Sequence, residues 1–303
     1  MDVDEFFNMF MDKLENLIKG TPQEKVIDEH FGGKFANELI FKECPHQSER
    51  LEPFNSIAVQ VKNKNTLEKG LEAFVKGEIM DGDNCVHCEK CDKKVPTLKR
   101  TCIKKLPKNL IIALKRFEFD YETMQKFKLN DLMEFPTNLN MEPYTKEGLE
   151  RAEREAKLAE KGETDENVGK LKYPKEYYQY KLRGVVVHSG VADGGHYYSF
   201  IEDRENDKWF EFNDNIVSDF SSDDIPDECF GGEEKWGYNY RSNYVKTRNA
   251  YLVIYERQTE FEPEDSDEEA PKEQETSEDV SMAVEKVPAD ISDALSFENQ
   301  KYW

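Results

Sequence analysis

Two pairs of soft ligands, far apart in the chain, constrain its folding more than any other feature. Cys88-x2-Cys91, in CEKCDKK, has the spacing that lets two thiolates point at one ion from a tight turn. Cys44-x-His46, in ECPHQ, offers a second pair, with 41 residues between His46 and Cys88. Four such donors suit tetrahedral zinc, and a set closed at four leaves no position for a metal-bound water, so the zinc expected here is structural. LEPFNSIAVQV after the first pair and VPTLKRTCI after the second both read as strands, which makes a finger whose tips one ion clamps. Cys85-x2-Cys88 is an overlapping alternative pair, with His87 as a bystander, and free or regulatory thiols are the competing reading.

Composition narrows the classes. The chain has 303 residues, enough to bury a core without disulfides, and 19 Phe, 14 Tyr and 3 Trp are too many for a disordered polymer. A net charge of −22 argues against binding nucleic acid or an anionic membrane surface, both of which need a basic face. No apolar run approaches the length of a membrane span, and MDVDEFFNMF is acidic where a secretory signal is basic, so a soluble, intracellular chain with reduced thiols is expected.

The charge is uneven. Residues 258–303 hold 15 acidic side chains against three lysines, with three prolines and little apolar periodicity, and read as an acidic disordered linker ending in the start of a further segment. Residues 1–257 read as the folded body. An insertion over 145–172, rich in Glu, Lys and Ala, is expected as an exposed helix inside a long loop. Near the amino terminus, Phe6, Phe10, Leu14 and Leu17 fall on one helical face, and Thr66 can cap a second helix running to Val75. After Leu98, LIIALKRFEF, YKLRGVVVHSG, HYYSFIED, KWFEFND and NAYLVIYER are β-branched, aromatic and bounded by turn residues. The class expected is α+β with a mostly antiparallel sheet.

HYYSFIE and KWFEFND, joined by DREND, predict a hairpin. Centring its turn between Arg204 and Glu205 sets His196 opposite Asn213. An amide oxygen there can accept the proton of one imidazole nitrogen and leave the other free as a base, which is half of a nucleophile, base and orienter arrangement. A register slip of one or two residues would bring Asp214 forward instead. His188, in HSG, is the competing base. Gly194 and Gly195 leave backbone bare where a narrow extended peptide can pass. The spacing supplies no nucleophile.

The string YKLRGVVVHSG-x4-GGHYYSFI followed by WFEFNDNIV resembles the histidine box of the ubiquitin-specific proteases, papain-like cysteine deubiquitinases. LPKNLIIALKRFEFD, KFKLNDLMEFPTNLNMEPYT, the metal knuckles with KGEIMDGDN between them, DECFGG and RNAYLVIYER are similar to the same family, and most of all to its very large fat-facets-type branch, over residues 2–257.

The resemblance implies a fold of palm, zinc fingers and thumb. It divides the body into fingers at about 40–100 and a palm at about 101–144 and 173–257, with the thumb largely missing. It implies hydrolysis of ubiquitin–lysine isopeptide bonds, with His196 as general base, Asn213 as third triad member and Asp214 as polar support. His188, Gly194, Gly195 and Tyr197 would bind substrate. Cys44, His46, Cys88 and Cys91 would hold structural zinc, His46 replacing one of the usual four cysteines. The implied partners are ubiquitin, ubiquitinated proteins and a larger parent polypeptide, in the cytoplasm or nucleus. The departure is at the front: the family's cysteine box precedes an acidic helix, and this sequence starts inside that helix, at DVDEFF, with no cysteine before Cys44. The expectation is a partial catalytic domain without its nucleophile, with a ubiquitin-binding but non-catalytic module, or a zinc-clamped scaffold module, as alternatives.

Overall fold

The computed structural model describes residues 2–162, 170–235 and 243–263. Among them, the strand-like runs pair into a large central sheet. Its order is Ile216–Phe220, Lys208–Asn213, Gly194–Asp203, Gln179–Val191, Arg248–Arg257, Asn109–Lys115, Ile57–Gln60, with Asn138–Asn140 added against the Gln179–Val191 strand. The pairs are antiparallel except the last, where Ile57–Gln60 runs parallel to Asn109–Lys115. The uninterrupted apolar run of Asn109–Lys115 is explained by its place: Leu110 through Leu114 are all buried, because core lies on both faces of the sheet. The protein is therefore α+β with mostly antiparallel sheets.

One face carries the larger core, which includes Leu67, Leu71 and Val75 of helix α3 (Leu67–Val75) and a group of buried tyrosines, Tyr177, Tyr178, Tyr180 and Tyr255. Thr66 caps α3, its hydroxyl accepting from the Lys69 amide. The other face is covered in part by helices α1 (Val3–Ile18) and α2 (Val26–Phe31), with Val3, Phe7 and Phe31 packed on Ile111 and Leu252. Asp2 caps α1 by accepting from the Asp4 amide at 2.8 Å.

Here the structure departs from the helical periodicity. The face that carries Phe6, Phe10, Leu14 and Leu17 is not the one packed on the body: Phe6, Phe10 and Leu17 are 50%, 47% and 75% exposed, while Val3, Phe7 and Met11 point to the body. The helix carries two adjacent apolar stripes, and a period of 3.6 fits both. What decides between them is the Asp2 cap and the sheet beneath, which no count along α1 contains.

A second sheet joins Gln47–Phe54, Gly33–Phe41, Thr97–Lys105 and Glu78–Met80, all antiparallel. The segment LEPFNSIAVQV, read as one strand, breaks at Asn55 and Ser56: its first part ends in this second sheet and its last part begins in the central one. The insertion expected as an exposed helix forms helix α4 (Lys146–Lys161), capped by Thr145, but it is seated on this sheet by charge. Buried Arg100 donates to buried Glu38 at 2.7 Å and to Glu153 of α4, and Lys146 pairs with Glu38 at 3.3 Å and with Glu49. Arg151 closes on Glu142 from the same helix. Residues 163–169 of the insertion lie outside the described residues. After the last strand, Phe261 packs against Tyr173 and Tyr177, so the chain stays on the body through Glu262. The acidic linker expected over 258–303 lies, from Glu264 onward, outside the described residues.

Candidate active site and metal cluster

His196 sits near the start of the Gly194–Asp203 strand, and Asn213 ends the Lys208–Asn213 strand beside it. Their pairing register differs from the centred turn: Ser199 faces Phe212 and Asp203 faces Lys208, so the hairpin is shifted by two residues. His196 and Asn213 are then diagonal neighbours on one face, a relation that a two-residue slip preserves because side chains alternate with a period of two. Asn213 Oδ1 lies 2.6 Å from His196 Nε2. Asp214, in the left-handed turn that follows with φ 53°, is 4.0 Å away and largely exposed. Glu211, two residues before Asn213 on the same face, accepts from Asn213 Nδ2 at 3.1 Å. Glu211 is absent from the candidate residues that the sequence suggests, although strand alternation in WFEFND places it beside the amide.

His196, Asn213 and Glu211 line one cavity of about 560 Å³, together with Tyr198, Glu228 and Arg248. No cysteine lines it. Cys102 and Cys229 are fully buried, and burial pushes both thiols up, Cys102 to about 12, so they stay protonated.

His188 belongs to the other face. It is paired with Tyr197, and Ser189 with His196, so the two histidines point to opposite sides of the hairpin. The His188 ring is buried against Phe117 and Tyr197, at 5.1 and 4.7 Å between centroids, and its Nδ1 has no hydrogen-bond partner. Burial, then the neighbouring Lys128, lowers its pKa to about 4, which keeps the imidazole neutral. His188, Gly194, Gly195 and Tyr197 converge on a second cavity, of about 430 Å³, with Asp2 and Phe119.

The two glycines are bare for different reasons. Gly194 faces open space, whereas a Cβ on Gly195 would lie 2.3 Å from His188 Nε2 and 2.6 Å from the Ser189 carbonyl oxygen. Gly195→Ala is expected to displace the His188 ring and lower stability by ~1–3 kcal/mol, the range of overpacked sites. Urea unfolding reads this, and an unchanged midpoint would mean that the ring gives way freely.

Two basic side chains, Arg116 and the half-buried Lys128, hold the backbone of this region through its carbonyls. Arg116, fully buried, donates to the carbonyls of Ala250 (2.6 Å), Leu129 (3.1 Å), Asp131 (3.0 Å) and Phe230 (3.5 Å). Lys128 donates to the carbonyls of His188 and Thr247 at 2.9 and 2.6 Å.

At the far end of the second sheet, Cys44, His46, Cys88 and Cys91 bring their ligand atoms within 4.8 Å of one another. Cys44 Sγ is 3.7 Å from Cys88 Sγ, and His46 Nδ1 is 3.5 and 3.3 Å from the sulfurs of Cys88 and Cys91. Cys85 is outside the cluster, and His87 turns instead to Asp92 at 3.2 Å. The four side chains could hold a metal ion.

Residues 1–255 match the family described as ubiquitin carboxyl-terminal hydrolase. The chain belongs to that family. It is 40% identical over 272 residues to the probable ubiquitin carboxyl-terminal hydrolase FAF of Drosophila melanogaster, an alignment covering 84% of this chain and 9% of that protein. It is 39% identical over 269 residues to ubiquitin carboxyl-terminal hydrolase 24 of Homo sapiens, covering 84% and 10%. The chain thus spans about a tenth of the length of the curated hydrolases it matches. Among solved structures, it is similar to the SAGA Ubp8/Sgf11/Sus1/Sgf73 DUB module bound to ubiquitin aldehyde, with a TM-score of 0.64, 26% identity, and coverage of 86% of this chain and 50% of that one.

Proposed function

We propose that this chain holds ubiquitin and carries the base and orienting amide of a thiol-dependent deubiquitinase. The observation that carries the reading is the 2.6 Å contact of His196 Nε2 with Asn213 Oδ1 at the mouth of an open cavity, with His188, Gly194, Gly195 and Tyr197 gathered on the reverse face. The ubiquitin in the Ubp8 structure supports it, as does the family.

In the reaction, Asn213 accepts the Nε2 proton and leaves the Nδ1 lone pair of His196 to take a proton from a cysteine thiol. The thiolate attacks the carbonyl carbon of ubiquitin's terminal glycine. The carbon–nitrogen bond breaks as the imidazolium returns its proton to the departing lysine amine. Water, deprotonated by His196, then hydrolyses the thioester. Asp214, at 4.0 Å, supports the imidazolium by charge rather than by a hydrogen bond. The attacking thiol is not one of the six cysteines here: Cys44, Cys88 and Cys91 belong to the metal cluster, Cys102 and Cys229 are buried, and Cys85 lies in the metal-bearing segment beside Cys88.

The ion assigned to the cluster is zinc in a structural role. Two sulfurs each ~2.3 Å from a tetrahedral ion lie about 3.8 Å apart, and a sulfur and an imidazole nitrogen about 3.5 Å apart, close to the spacings found. It joins two segments and takes no part in the proton transfers. On this reading, residues of about 40–100 are the fingers, those of about 101–144 and 173–257 the palm, and 258–303 a linker. Among the described residues no helix is long and apolar enough to cross a membrane. Reduced thiols fit the cytoplasm or nucleus, and the acidic balance disfavours nucleic acid as a partner.

Titration of the full chain with ubiquitin tests the reading. Saturable binding that His196→Ala leaves intact is expected, while a ubiquitin vinyl-sulfone probe labels none of the cysteines. Absence of binding would leave only a zinc-clamped scaffold. Labelling of any cysteine would put the nucleophile inside this chain.

A further inference from the structure

We propose that Glu211 is a positioning residue: it decides which end of the Asn213 amide faces His196, and so which ring nitrogen of His196 carries the proton. A side-chain amide is almost symmetric in shape, but one end accepts hydrogen bonds and the other donates them. Asn213 has a polar neighbour at each end. His196 Nε2 lies 2.6 Å from one, and Glu211 Oε1 lies 3.1 Å from the other. The imidazole can satisfy either orientation, because a neutral ring donates from one nitrogen and accepts at the other. An ionised carboxylate can only accept. Glu211 therefore requires the NH2 group on its own side, which turns the carbonyl oxygen to the ring and places the proton on Nε2.

The consequence falls on the other nitrogen. With the proton on Nε2, the lone pair of Nδ1 is free. With the amide reversed, its NH2 would donate to Nε2, the proton would sit on Nδ1, and the base would be blocked at the atom that must receive the thiol proton. Glu211 is placed for this by the strand itself, two residues from Asn213 on the face that lines the same cavity. The guanidinium that shares the cavity, Arg248, is engaged by Glu228 at 2.9 Å and by Asp227 at 3.6 Å.

The importance of Glu211 for turnover rests on the proposed function, but the tautomer is a property of this chain alone, and the experiment reads the tautomer. Ring 15N shifts of His196, at a pH where the imidazole is neutral, distinguish Nε2–H from Nδ1–H. The Nε2–H form should dominate in the unaltered chain. In Glu211→Gln, which can donate as well as accept, the ratio of Nε2–H to Nδ1–H should fall, and in Glu211→Lys, whose ammonium can only donate, it should fall at least ~10-fold, equivalent to about 1.4 kcal/mol. Glu211→Asp, still an acceptor, should keep more of the original ratio than Glu211→Gln.

A ratio unchanged in both Glu211→Gln and Glu211→Lys, with native near-ultraviolet circular dichroism, overturns the proposal. Ubiquitin titration of the same samples is the separate arm. Loss of binding by the unaltered chain would sink the functional reading and leave the tautomer result standing, and an unmoved tautomer with intact binding would do the reverse.

Discussion

Replacing Arg116 with methionine should lower stability by ~3–5 kcal/mol, since each buried carbonyl deprived of its donor costs ~1–3 kcal/mol. The side chain is fully buried, and its guanidinium serves four backbone carbonyls drawn from three stretches of chain. Those stretches are the Arg248–Arg257 strand, the irregular connection containing Leu129 and Asp131, and Phe230 after the short helix α5 (Ile225–Cys229). Burial lowers the pKa of Arg116 only to about 10, so the group stays charged at neutral pH and its hydrogen bonds are charge-assisted. Arg116→Lys should rescue little, because one ammonium cannot span the fork that a planar guanidinium reaches. Denaturant midpoints measure both variants, and a loss below ~1 kcal/mol for the methionine variant would show that the carbonyls find other donors.

The other large effect concerns the metal cluster. If the cluster holds the proposed ion, stripping it with a chelator, or replacing Cys88 with serine, should release the ligand-bearing tips at 42–46 and 85–95 and raise their rate of proteolysis at least ~10-fold, while the central sheet, with Ile57–Gln60 and helix α3 in its core, keeps its protection. Structural zinc contributes ~10–16 kcal/mol of apparent binding energy in small finger peptides. Little else holds this end together: the hairpin of Val86–Cys88 with Lys93–Val95 has three residues on each side, and within it only Cys88 and Val95 are buried. Added zinc should restore protection to the chelated chain and fail to restore it fully in the serine variant. Cleavage that is insensitive to both treatments would remove the metal from the account.

How much of this was readable in advance follows from the range of each interaction. The Cys/His cluster was legible because ligand chemistry is local, a pair of donors on a tight turn, and the structure brings Cys44, His46, Cys88 and Cys91 together. The nearness of His196 and Asn213 could be read because alternation along a strand survives a two-residue error in register. The inward stripe of α1 could not, since Phe6 and Phe7 compete on equal terms until the sheet face is known. Arg116 gave no signal either. A lone arginine in an acidic sequence looks like surface, and its partners are carbonyls up to 134 positions away, which carry no mark in the sequence. The seating of α4 was hidden for a similar reason: a Glu- and Lys-rich helix looks fully solvated until Glu38 and Arg100 are found buried beneath it.

The back-to-back placement of His188 and His196 on one hairpin has a consequence for how such a chain can vary. Odd and even positions of that ribbon serve different sides, so gaining or losing a single residue between Gly190 and His196 would swap the two sets, turning the solvent-facing imidazole inward and the packed tyrosine out. Length changes in the tip should therefore be tolerated in twos, or where the extra residue is absorbed in a bulge before the strand begins.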